Sequence, residues 1–165
     1  MAMVTNMMIR VLVAAALGLG VCNYVEAQDA GPFSPLAGQW SGVGAIDLSN
    51  GARERIHCKA AYDVLSPESM QLNIRCASES YNFDLRGSAK LAGGAISGSW
   101  SESTRNAAGS LSGEAKGEHI QVLAKGPGFT ATLTLTTRGE RQTVVIKSQE
   151  PDSTVRGASI SLKKT

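Results

Sequence analysis

The stretch Phe-Thr-Ala-Thr-Leu-Thr-Leu-Thr-Thr, 129–137, places Phe129, Ala131, Leu133 and Leu135 on one side of an extended chain and threonines on the other. Alternation with period two is the signature of a half-buried strand. Threonine suits the wet face, because its branched carbon fits a pleated surface. The same alternation recurs in segments 39–48, 54–65, 70–77, 81–90, 95–102, 110–116, 119–125, 129–137, 142–148 and 157–163, and no segment carries a helical period. The expected fold is all-β, an up-and-down antiparallel meander of about 8–10 strands. So many twisted strands must curl, pack as a sandwich or close, and closure removes the edges that invite aggregation. A closed barrel with its apolar residues inside is therefore the favoured architecture, with a sandwich as the alternative.

Residues paired directly across an antiparallel hairpin face the same side, so apolar must meet apolar. On this rule Trp100 is set opposite Leu111 and Gly98 opposite Gly113, around a turn Thr-Arg-Asn-Ala. Ala115 pairs with Ile120 about the turn Gly117-Glu118, and Ala124 pairs with Phe129 about Lys-Gly-Pro-Gly. Leu135 meets Val144, and Cys76 meets Tyr81. Facing glycines at 98 and 113 would let the sheet bend sharply.

The stretch Ile56–Cys76 obeys the same rule. Val64 opposite Met70 sets Tyr62 against Leu72, Ala60 against Ile74 and Cys58 against Cys76, with Pro67 in the turn. Cross-strand neighbours lie about 4.5–5.5 Å apart at Cα, within reach of a disulfide. A Cys58–Cys76 bond is expected. Closing a loop of this size stabilises by roughly 3 kcal/mol. Zinc would need four ligands and His57 points away from Cys58, while a catalytic redox pair would sit as C-x-x-C at a helix start.

Residues 1–27 read as a secretory signal peptide: Arg10, the apolar run Val11 to Val21, and a Val-Glu-Ala exit with cleavage near Ala27. The run is too short to span a bilayer. Cleavage before Cys22 followed by lipidation is the alternative, disfavoured by the bulk of Val21. The expected location is periplasmic or secreted, where two cysteines pair. Residues 28–37, with Gly31, Pro32 and Pro35, read as an extended lead-in, and 38–165 as one barrel domain. No later stretch is apolar enough to form a transmembrane segment. The formal net charge is +2 with alternating signs along the chain, so no nucleic-acid partner is expected.

The search for chemistry returns little. There is no G-x-S-x-G elbow, phosphate loop, H-E-x-x-H or calcium loop. His57 and His119 fall on the outward face, and Glu102, Glu114 and Glu118 are scattered and expected outside. The chain reads as no enzyme, with no cofactor and no metal site. What remains is the inner face, where Trp40, Tyr62, Tyr81, Phe83, Trp100 and Phe129 stand among small residues. Those aromatics are the candidate ligand-binding residues if the small residues leave a cavity.

The opening Leu-Ala-Gly-Gln-Trp-Ser-Gly-Val-Gly-Ala-Ile-Asp-Leu, 36–48, with Gly38-Gln39-Trp40, resembles the first strand of calycin-type barrels, the lipocalins and avidins. The resemblance implies that Trp40 closes the base of the barrel and that the lumen holds a small apolar or amphipathic ligand. Leu36, Gly38 and Trp40, with two later cysteines, also resemble the periplasmic inhibitors of serralysin-type metalloproteases. That resemblance implies a protein partner in the envelope, met by an N-terminal arm mapping onto 28–35. An envelope-associated structural role is the related alternative. Stretches such as Ala-Ile-Ser-Gly-Ser-Trp-Ser-Glu, 95–102, and Gly-Pro-Gly-Phe-Thr-Ala, 126–131, are similar to short exported alphaproteobacterial proteins of unknown function.

Overall fold

A computed structural model describes residues 31–165; the expected signal peptide, Cys22 and the first part of the expected lead-in lie outside the described residues. Ten strands follow one 3-10 turn at Ser34–Leu36. They are β1 (Gly38–Leu48), β2 (Arg53–Ser66), β3 (Ser69–Ala77), β4 (Asn82–Ala92), β5 (Ala95–Glu102), β6 (Ala107–Lys116), β7 (His119–Gly126), β8 (Phe129–Arg138), β9 (Arg141–Ser148) and β10 (Val155–Lys164). Each strand pairs with its sequence neighbours, and β1 pairs with β10, so the meander closes into a barrel with no free edge.

Alternation set the faces correctly. Trp40, Ile46, Ile56, Cys58, Ala60 and Tyr62 are buried inside, while His57, Lys59 and Asp63 between them are exposed. The β2–β3 register is the expected one, with Cys58 opposite Cys76, Tyr62 opposite Leu72 and Val64 opposite Met70. Ala115 faces Ile120 and Leu135 faces Val144, also as expected. The β6–β7 turn is the two-residue Gly117-Glu118, where Gly117 takes φ +57°, a conformation that other residues adopt at a cost.

Three expected registers are wrong, each by two residues. Trp100 faces Gly109 rather than Leu111, and Gly98 faces Leu111 rather than Gly113. Ala124 faces Ala131 rather than Phe129, and Cys76 faces Phe83 rather than Tyr81. A two-residue slip leaves every side chain on its own face, so the apolar pattern cannot detect it. Turn chemistry and sterics decide instead. The Glu102 carboxylate accepts N–H bonds from Thr104 and Arg105 and closes the β5–β6 turn. Pro127-Gly128 suffices for β7–β8, with Gly128 at φ +64°. Ser78 Oγ accepts from the Tyr81 N–H in the β3–β4 turn.

Gly98 and Gly113 do sit where the sheet closes tightly, although they do not face each other. A Cβ on Gly98 would come within 2.0 Å of the Ser88 carbonyl oxygen, and one on Gly113 within 2.0 Å of that of Gln121. The strands approach there more closely than any side-chain-bearing residue allows.

The described part of the lead-in is not extended. The chain turns at Ser34–Leu36 and drives Phe33 and Leu36 into the core, both essentially without exposure. These two close the barrel end that holds the starts of β1, β3 and β5. Trp40 lies in the same plug, and its Nε1 donates to the Leu36 carbonyl oxygen at 2.7 Å. Glu102, expected outside, is 6 % exposed and faces inward at the end of β5.

Candidate functional site

The interior is the natural place to look, because ten strands enclose more space than eight. An eight-stranded barrel is just wide enough to be filled by its own side chains or to hold one small ligand. Here the inner wall is built from small residues over long stretches. Gly42 and Gly44 on β1, Gly87, Gly98, Gly109 and Gly113 on β4–β6, and Ala60, Ala89, Ala124 and Ala131 all fall on the inward face by register. Leu72, Ile74, Leu85, Leu111, Leu133 and Ile146 point inward by register, yet each keeps partial exposure behind a closed wall. Leu72, Ile74, Leu111, Leu133 and Ile146 pack against the buried cluster that holds Ile46, Ile56 and Ile160.

The two ends differ. The plugged end combines Phe33, Leu36 and Trp40 with a buried polar chain. There the Tyr62 hydroxyl donates to Gln142 Oε1 at 2.8 Å, and Gln142 Nε2 donates to Thr137 Oγ1 at 3.1 Å. Burial pushes the Tyr62 phenol far above its ordinary value, against the opposing pull of its bond to Gln142, so it stays a neutral donor. At the opposite end Phe129 lies on the rim, 37 % exposed, and meets the Trp100 indole edge-to-face at 5.3 Å between ring centroids.

The six aromatics expected to bind ligand therefore do not form one site. Trp40 and Tyr62 belong to the plug. Tyr81 stacks on Phe83, the guanidinium of Arg105 sits 4.6 Å above the Phe83 ring, and Trp100 and Phe129 form a second pair toward the open end. Trp100 lies against Gly109 and Gly126, and a Cβ on Gly109 would stand 2.8 Å from its Nε1. That indole nitrogen is buried without a hydrogen-bond partner. The partly exposed aliphatic lining was missed as a site by sequence reasoning. Its only signal is strand alternation, which marks a packed core in the same way.

Glu102 performs a structural task. Its carboxylate accepts from the backbone N–H groups of Asp84, Thr104 and Arg105 and from the Thr104 hydroxyl. Burial raises its pKa, but these donors together outweigh that and hold it below the usual carboxylate value. His57 and His119 lie on the outer wall, as expected, and His119 Nδ1 is 3.0 Å from Thr136 Oγ1. Among the described residues no three His, Cys, Asp or Glu side chains converge as metal ligands, and no helix is long and apolar enough to cross a membrane. Two open concavities lie on the outer wall, one over β1–β4 and one over β6–β8.

No protein-family model matches the chain, and no curated protein matches its sequence. Its fold is similar to that of Rv2717c from M. tuberculosis, at 10 % identity and a TM-score of 0.65, covering 81 % of this chain and 94 % of that one. It is also similar to the S-type phycobiliprotein lyase from Guillardia theta, at 9 % identity and a TM-score of 0.58, covering 81 % and 90 %. At these identities the likeness is one of fold.

Proposed function

We propose that the protein is a non-enzymatic binder of a small apolar or amphipathic ligand, held in the lumen and admitted at the end away from the Phe33–Leu36–Trp40 plug. The observation that carries this reading is the partial exposure of Leu72, Ile74, Leu85, Leu111, Leu133 and Ile146 inside a closed ten-stranded wall. Apolar surface held open to water in this way favours an apolar occupant. The plug at one end supports the calycin-type comparison, in which the tryptophan of the first strand closes the base. The reading is non-enzymatic because the ionisable groups buried along the inner wall, Tyr62 and Glu102, are both engaged in hydrogen bonds that hold the fold.

We place its work in the periplasm or outside the cell. The leader-like start supports this, as does a disulfide of the kind kept in oxidising compartments. A protease-inhibitor role gains no support from the described arm, since Phe33 is inside the barrel rather than free to enter a cleft.

The test is titration with a neutral apolar dye, Nile red, alongside native mass spectrometry of the protein purified from its source. The unmodified protein should bind the dye. Leu111→Trp and Leu133→Trp, which fill the lumen, should abolish binding while the circular dichroism remains that of a β-barrel. Absence of dye binding together with no co-purifying mass, or binding that the filled lumen does not alter, would reject the reading.

A further inference from the structure

The outer wall is chemically divided. On β5 and β6 it carries Ser97, Ser99, Ser101, Ser110 and Ser112, and on β8 it carries threonines. On β2–β4 it carries Arg53, Arg55, Lys59, Arg75, Arg86 and Lys90, all exposed. Only two of these six form ion pairs among the described residues: Arg53 with Asp47 and Arg75 with Asp84.

Within this face Lys59 stands directly opposite Arg75 on the neighbouring strand. Like charges so placed are destabilising, and a folding requirement does not explain the pair. Both side chains line an open concavity of about 640 Å3 over β1–β4, together with Ser41, His57 and Asn82. Among the described residues none of the Ser41, His57, Lys59 or Asn82 side chains donates to another protein group. Arg75 Nε is paired with Asp84 Oδ2 at 3.2 Å; the Asp84 carboxylate lines the same concavity, its Oδ1 buried without a hydrogen-bond partner, and among the described residues the outer guanidinium nitrogens of Arg75 make no hydrogen bond. The floor is apolar, with Ala77 and with Val43, 41 % exposed.

We propose that this concavity is an oxyanion site for a phosphate-type group, held by Lys59 and Arg75 with Ser41, His57 and Asn82 as further donors. Arg75 supplies a planar fork suited to phosphate, and Asp84 orients it. The disulfide gives the site rigidity from the other side of the wall. Cys58 is the chain neighbour of His57 and Lys59, Cys76 is that of Arg75 and Ala77, and the bond joins their strands with 4.1 Å between Cα atoms. The backbone positions that carry the two cations are thereby held side by side, which lowers the ordering cost of binding. The site is separate from the lumen and does not depend on it.

The experiment titrates the protein with inorganic phosphate by calorimetry, and in parallel with phosphatidylcholine vesicles with or without phosphatidic acid. The variant Lys59→Gln/Arg75→Gln is compared with Lys125→Gln/Lys147→Gln, which removes the same charge elsewhere on the outer wall. Binding should weaken by about ten-fold or more in the first variant and change little in the second. Lys59→Gln alone should leave the thermal midpoint unchanged or raise it, which separates lost binding from lost folding. Binding of inorganic phosphate supports the site with a free anion as its source; binding only to vesicles containing phosphatidic acid supports it with a lipid headgroup as its source. Binding to neither, or an equal loss in both double variants, overturns the proposal.

Discussion

Single residues carry constraints that no pattern reveals. Gly109 lies between the Lys125 carbonyl oxygen, 2.0 Å from where a Cβ would stand, and Trp100 Nε1, 2.8 Å from it. Gly109→Ala should therefore destabilise by about 1–3 kcal/mol or more through overpacking, read as a lower urea midpoint. Alanine at the exposed outer residue Ser110 should leave that midpoint nearly unchanged. Glu102 offers a second test. Its folded pKa is depressed, so its stabilisation is complete above about pH 4.5, the ordinary carboxylate value, and is lost as pH falls through the lower folded value. Glu102→Gln should cost about 1–3 kcal/mol at neutral pH. In a pH series of unfolding midpoints, the gap between variant and parent should then narrow in acid. A gap that stayed constant through that window would show that the charge of Glu102 is not what closes the turn. Sequence placed this glutamate outside, because a lone acid among serines gives no sign of the N–H donors its turn will aim at it.

At the scale of elements, the β2–β3 hairpin is the part most completely legible in the chain. Its faces, register and disulfide all follow from setting Val64 opposite Met70, a register that also joins the cysteines; the ladder shifts only between Val64 and Ser66, next to the turn. Cys58→Ala/Cys76→Ala should cost roughly 3 kcal/mol, and reductant should bring the parent protein to the same urea midpoint. Three other hairpins show why this success does not generalise. Around Cys76, Trp100 and Ala124, two registers differing by two residues keep apolar against apolar equally well, and local hydrogen bonds choose between them. The lead-in was misread for another reason. Prolines 32 and 35 suggest an extended chain, but burying Phe33 and Leu36 in the barrel end outweighs that local preference. Phe33→Ala should cost about 3–5 kcal/mol. It should also raise dye access from the plugged end, seen as faster Nile red association.

For the whole molecule, closure matters most. Joining β1 to β10 turns a two-faced sheet into an inside and an outside, and the lumen exists only because of it. A ligand that fills the lumen should raise the thermal midpoint by mass action, by an amount that grows with ligand concentration. That rise should vanish in Leu133→Trp, measured by differential scanning calorimetry. The phosphate-type site belongs to this scale as well. Its two cations come from the neighbouring strands β2 and β3, and the basic residues of this face are separated in the chain by oppositely charged and neutral residues, so the linear charge pattern looks mixed while the curved face is basic.

Strand alternation, the absence of helical period, the one disulfide and the faces of nearly all residues were determined by sequence alone. They rest on the extended backbone, whose side chains must alternate, and on the need to bury one face. Tertiary structure alone decided which of two equivalent registers each hairpin takes and that Glu102 turns inward. It also decided that the aromatics divide between a plug and a rim. These depend on distances between atoms remote in the chain, above all the close approach of strands at glycines, and a one-dimensional pattern contains parity but not distance.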